Sequence, residues 1–185
     1  MISFLIFVFV MSFTPGPNTI MAMVSGQNHG IKKSVPLNLG MLGGLVVIGA
    51  LASIFASWIQ SNETFVLVMK VVGSLYLAYL TYHVLISVPG SEDEEAGGFM
   101  TGFLIQMTNV KVYLYFITGL GAFTLAGIWG HISVRLVLMV LIGSLGTFTW
   151  TVLGQAINGV YKKHYRVFNV AISLLLVLSI IDLWR

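Results

Sequence analysis

The sequence predicts an all-α integral membrane protein with six transmembrane helices, and three observations carry that expectation. Hydrophobic residues make up 57% of the 185-residue chain and charged residues 8%, against about 25% charge in a soluble domain. The mean hydropathy of +0.96 leaves too little polar side chain to cover a water-facing surface, and it excludes a disordered chain. The apolar residues also fall into long runs. A spanning helix needs about 20 residues, so the chain has room for about six with short connections. Each run is too long for a barrel strand and lacks sustained alternation.

The first run goes from Met1 to Phe13, meets Thr14-Pro15-Gly16-Pro17-Asn18, and resumes from Thr19 to Ser25. No Lys or Arg precedes Lys32, so the run lacks the charged start of a signal peptide and reads as one retained, broken helix. The second run is Val35 to Trp58 and the third Phe65 to Val88. The only acidic tract follows, Glu92-Asp93-Glu94-Glu95 with Gly97-Gly98. The remaining runs are Phe99 to Leu125, Ile132 to Ile157 and Val167 to Trp184.

Lys and Arg orient the chain. Lys32 and Lys33 fall between the first and second spans, and Lys162, Lys163 and Arg166 between the fifth and sixth. With six spans these connections share a side. The other side has only Arg135 and the terminal Arg185. The positive-inside rule then puts both termini in the periplasm of a bacterial inner-membrane protein. The same rule accounts for the net charge of +3, so no nucleic-acid partner is implied. A homo-oligomer is compatible with the sequence.

Odd numbers of spans on either side of the acidic tract predict two inverted three-helix repeats. Residues 1–90 form the first, 91–98 a cytoplasmic linker and 99–185 the second, together one membrane domain. The first span of each half is interrupted, at Thr14 to Asn18 and at Gln106, Thr108, Asn109 and Lys111. Matched interruptions of this kind mark midplane binding sites in transporters.

Pro15 and Pro17 remove two backbone donors, and Thr14 and Gly16 precede proline and are pushed out of the α region. The segment must unwind, and the backbone groups it frees need protein, water or substrate. A helix resuming near Asn18 presents amides and a positive dipole end, suited to a carboxylate. Lys111 is the second signal, because a charge at mid-membrane costs at least about 2.5 kcal/mol. Gln106 and Asn109 share a face of an ideal helix, while Lys111 projects about 180° from Gln106. Either Asn109 distorts the turn, or Lys111 serves a separate role: binding a carboxylate, exchanging a proton, or reaching an interface. Thr14, Asn18, Asn38, Gln106, Asn109 and Lys111 are the candidate binding residues. Pro15, Gly16 and Pro17 are the hinge, and Gly30, Gly40 and Gly44 are helix-packing positions. Lys70 and Asp182 read as interfacial, and so does His83 near a span end.

No enzyme is expected. Cysteine is absent, which removes thiolate chemistry, and there is no GxSxG or HExxH. His29, His131 and His164 lie in connections and lack metal-ligand spacing, so no metal or cofactor is implied.

The run Thr14-Pro15-Gly16-Pro17-Asn18, with Gly30, Gly40 and Gly44 after it, resembles the signature of the LysE/RhtB amino-acid exporters. The stretch Lys70-Val71-Val72-Gly73-Ser74-Leu75-Tyr76-Leu77-Ala78-Tyr79-Leu80 is similar to that family's third span. Much of the family has Asn-Pro-Lys where this chain has Asn109-Val110-Lys111. The stretch Phe103 to Lys111 is similar to the cysteine/O-acetylserine exporter branch, which also lacks that proline. The resemblance covers nearly the whole chain. It implies a secondary exporter of small neutral amino acids or their derivatives, driven by the proton gradient. A non-transporting scaffold or assembly subunit, and a channel, are the competing readings. The scaffold leaves the matched polar breaks unexplained, and a channel would show uncoupled, voltage-following flux.

Overall fold

In a medium without water every backbone amide must be satisfied within the chain, and the helix does this locally. The computed structural model describes residues 1–14, 16–61, 63–86, 97–121, 123 and 125–184. Pro15, the acidic residues Glu92 to Glu95 and Arg185 lie outside the described residues, as do the side chains of Lys70, His83 and Asp182. The elements are α1 Ile2–Phe13, α2 Pro17–Ser61, α3 Glu63–Ile86, α4 Phe99–Met107 and α5 Val110–Gly121. A 3-10 turn, Gly127–Gly130, precedes α6 Ile132–Ala156 and α7 Asn158–Leu183. The described residues are helical with no strand. Among them, Pro17–Phe55 and α6 are long and apolar enough to cross a membrane.

Two boundaries differ from the sequence expectation. α2 reverses at Gly30 alone, with φ 75° and ψ 171°, a conformation open to glycine because it has no Cβ. Gly30 is therefore a turn residue and not a helix-packing one. The helix restarts at once, so Lys32 and Lys33 lie in its first turns rather than in a loop, both exposed. The fourth span is interrupted where the sequence places its polar residues, giving two helices, α4 and α5. Lys162, Lys163 and Arg166 are also helical and exposed, at the start of α7, which bends at His164.

The basic residues gather at one end. Gln155, near the end of α6, accepts a hydrogen bond from Ile31 N, so the Gly30 turn and the α6–α7 junction are neighbours. At the other end Phe4 of α1 packs edge-on against Phe123, with centroids 5.5 Å apart. There Arg135 is buried, not water-facing, and its Nη1 donates to Gly119 O at 3.3 Å and Phe123 O at 3.1 Å. A guanidinium on the last carbonyls of α5 satisfies orphan acceptors and the negative helix end together.

Glycines set the helix crossings. A Cβ at Gly40 would overlap the Phe99 carbonyl, and one at Gly102 the Leu37 carbonyl, so α2 and α4 meet backbone to backbone. A Cβ at Gly44 would fall 2.5 Å from Gln106 Cβ. On the other side, Gly26 meets the Thr151 carbonyl and Gly154 the Met23 carbonyl, joining the first arm of α2 to α6. Lipid gives helices no hydrophobic reason to associate, so this close packing carries the assembly. α3 packs chiefly on α7, where Trp184 Nε1 donates to Ser74 Oγ at 2.8 Å.

Gly102→Leu is expected to cost about 2 kcal/mol or more, because neither backbone at that crossing can retreat. Gly98→Ala, where a Cβ meets nothing within 4 Å, should be near neutral. Thermal unfolding of both variants in detergent checks this, and equal midpoints would contradict it.

Candidate functional site

The first helix break is built from its own residues. α1 stops at Phe13 and Thr14 is extended, φ −63° and ψ 134°. Gly16 caps the next helix: its carbonyl accepts Ile20 N at 2.9 Å. Pro17 takes the first helical position, where no donor is needed. Thr19 Oγ1 reaches back, accepting Gly16 N at 2.8 Å and donating to Gly16 O at 3.0 Å, the return half of a capping box. A glycine cap has no side chain to cover the first-turn amides, so the positive end of α2 stays open. The carbonyls at the end of α1 take partners from distant helices. Phe13 O accepts Trp150 Nε1 at 3.1 Å, and Thr14 O accepts Lys111 Nζ at 3.2 Å.

The second break forms without a proline. α4 ends at Met107, and Thr108 Oγ1 turns back to Leu104 O at 2.8 Å. Asn109 Oδ1 accepts the Lys111 amide at 3.0 Å, a side-chain cap for α5. Asn109 therefore does distort the turn. It brings Lys111, which would project away from Gln106 on a straight helix, to the same cavity as Gln106.

Asn18 ties the breaks together. Its Nδ2 donates to Gln106 Oε1, and its Oδ1 accepts Asn109 Nδ2 at 2.6 Å. Asn18, Gln106 and Asn109 are all at least nine-tenths buried. They border a cavity of about 50 Å³ that Gly16, Lys111, Tyr115 and Thr147 also line. Gly16 lies against the lysine: a Cβ there would be 3.5 Å from Lys111 Nζ, an ordinary van der Waals contact. Among the described residues that line this cavity, Lys111 is the charged one.

Of the residues predicted to bind substrate, Asn18, Gln106, Asn109 and Lys111 line the cavity. Thr14 contributes only its carbonyl, to Lys111, and its hydroxyl turns back to Val10 O. Asn38 does not line the cavity and instead donates to Thr151 Oγ1 at 2.9 Å. Ser12, Thr19, Tyr115 and Thr147 line it unpredicted. Tyr115 follows Lys111 by one helical turn, a spacing that would have signalled it. Its hydroxyl donates to Met139 O at 2.9 Å and accepts Ser12 Oγ at 3.3 Å. Ser12 and Thr147 lie in apolar helices with no distinguishing pattern.

Two interrupted helices whose broken ends share one cavity are an arrangement suited to a membrane translocator. The chain belongs to the LysE type translocator family, which it matches over residues 9–183. It is 32% identical over 182 residues to the cysteine/O-acetylserine efflux protein of Klebsiella pneumoniae, covering 95% of this chain and 92% of that one. The protein of that name in Salmonella typhimurium is also 32% identical, and that of Escherichia coli K12 is 31% identical over 183 residues, with the same coverage. No solved structure matches.

Asn109→Ala is expected to lower stability by about 1–2 kcal/mol through loss of the cap. Asn109→Ser, which keeps a capping oxygen but is too short for Asn18, should recover most of that loss. Thermal midpoints in detergent decide, and an Asn109→Ser protein no more stable than Asn109→Ala would show that the cap is not what holds the break.

Proposed function

We propose that the protein is a secondary exporter of small neutral amino acids, cysteine or O-acetylserine among them, in the bacterial inner membrane, driven by the proton gradient. The observation that carries this is the set of polar groups around the cavity. Among the described residues that line it are one cationic side chain, a helix start and several neutral oxygens. A zwitterion fits that set. Its carboxylate meets the first-turn amides of α2 and the Lys111 ammonium, and its ammonium meets Asn18, Gln106, Tyr115 and Thr147 oxygens. A cationic amino acid would place a second positive charge beside Lys111, which like charge disfavours. The names of the relatives agree with a neutral substrate.

In this reading the chain has six spans in two inverted repeats, residues 1–90 and 99–185, joined by the linker 91–98. The order of elements supports it: a broken helix, a long helix and a third helix occur in each half, and the third helices, α3 and α7, pack together. Both termini are periplasmic, supported by the basic residues that share the Gly30 end. Reporter fusions at Arg185 and within the acidic tract check this orientation. A cytoplasmic C-terminus would overturn it and the inverted repeat together.

Counterflow in proteoliposomes with labelled O-acetylserine, cysteine and lysine tests the substrate class. Saturable counterflow of the neutral substrates and none of lysine is expected. Lys111→Met should abolish gradient-driven export in well-inserted protein. Survival of counterflow in that variant assigns Lys111 to proton exchange, and its loss assigns Lys111 to carboxylate binding. Near-parental export by Lys111→Met would remove Lys111 from the mechanism.

A further inference from the structure

The cavity must fill from the side where the substrate is made, and the packing on its two sides differs in kind. Toward the end that holds Phe123 and Arg135 the interior is apolar and aromatic, built from Phe4, Val8, Ile48, Phe116, Leu120 and Met139. Toward the Gly30 end a file of polar side chains leads away from the cavity. Thr147 lines the cavity, and Thr151 and Gln155 follow it at four-residue spacing on the same face of α6. Ser34 and Asn38, four apart on α2, stand opposite. Asn38 Nδ2 donates to Thr151 Oγ1 at 2.9 Å and to Ser34 O at 3.0 Å. Ser34 Oγ accepts Ser25 Oγ at 2.8 Å and donates to Gly30 O at 2.8 Å. Gln155 ends the file on Ile31 N.

This file is over-supplied with polar atoms for a packing interface. Thr151, Ser34 and Gln27 are fully buried. Among the described residues neither amide atom of Gln27 has a hydrogen-bond partner, nor does Asn38 Oδ1. Buried polar atoms are costly to leave unmade, and natural interiors rarely keep them unless a ligand or water visits. The helices that flank the file touch through Gly26 and Gly154, so few interlocked side chains oppose their separation. Gly30 supplies a bend between the two arms of α2.

We infer that this file is the route by which a zwitterionic substrate reaches the cavity from the Gly30 end, and that the Asn38–Thr151 hydrogen bond is the gate that closes it. The inference rests on the transport reading above. When α6 moves away from α2, Asn38, Thr151 and Gln27 exchange partners with the passing carboxylate and ammonium, which replaces lost water contacts step by step. Among the described residues the opposite end has, beside Arg135, the apolar packing given above, so it opens by separating mainly apolar surfaces.

The chain contains no cysteine, so a single introduced thiol reports on its own position. Thr151→Cys is treated with a charged, membrane-impermeant methanethiosulfonate in right-side-out and everted vesicles during turnover. Modification from the Lys32 and Lys33 face should be about tenfold faster or more, the ratio expected when the other side opens only in a minor state. Saturating O-acetylserine should slow it, and complete modification should abolish export. Ser34→Cys, a smaller change, should behave alike and covers poor insertion of the first variant. Equal reactivity from both faces, no reactivity during turnover, or unchanged export after full modification would overturn the route. Unsubstituted protein is assayed in the same vesicles. Absence of O-acetylserine export there would defeat the transport reading, while the sidedness of labelling would still report on the route.

Discussion

The side chain of Asn18 joins the two halves of this protein. It gives its two hydrogens-bonding ends to opposite partners, Gln106 before the second break and Asn109 within it. Asn109 in turn caps α5 and sets the direction of Lys111, whose ammonium returns to the end of α1. The circuit therefore runs from the first break to the second and back. Each break leaves unsatisfied backbone groups that no lipid can accept, and each supplies the groups the other lacks.

Dependence on that circuit explains why glycine is placed where it is. The partners in the circuit lie about 90 residues apart in the chain, at Asn18 and at Gln106 to Lys111. They can meet only if α2 crosses α4 and α6 at backbone distance. Gly40 and Gly102 permit one crossing, Gly26 and Gly154 the other. Gly44 does both jobs, since its missing Cβ leaves the space that Gln106 occupies. Packing and site chemistry are thus one problem here: a methyl group added for helix propensity would displace a functional side chain.

The electrostatics follow the same economy. The described lining of the cavity includes a lysine and a helix start, both positive in a region of low dielectric, where charge counts most. Arg135, which is buried, is held by the Gly119 and Phe123 carbonyls at the far end of α5 and does not line the cavity. Lys32, Lys33, Lys162, Lys163 and Arg166 are exposed on the helices near the Gly30 end.

The sequence by itself determined the membrane class, the helical content and the place of the first break. These follow from local rules: apolar runs are read residue by residue, and proline restricts itself and its predecessor wherever it sits. It also marked Asn18, Gln106, Asn109 and Lys111 as candidates, because polar groups are conspicuous in apolar runs. The tertiary structure decided which of them meet. Asn38 looks like the others in sequence, yet it pairs with Thr151 outside the cavity. Gly30 looks like a packing glycine, yet it makes a turn. Asn109 breaks its helix without the proline that would have announced it. Tyr115 and Thr147 join the cavity unannounced. The reason is physical. When lipid and protein interior are equally apolar, helical periodicity no longer says which face points inward, and only the glycine-limited crossings determine it.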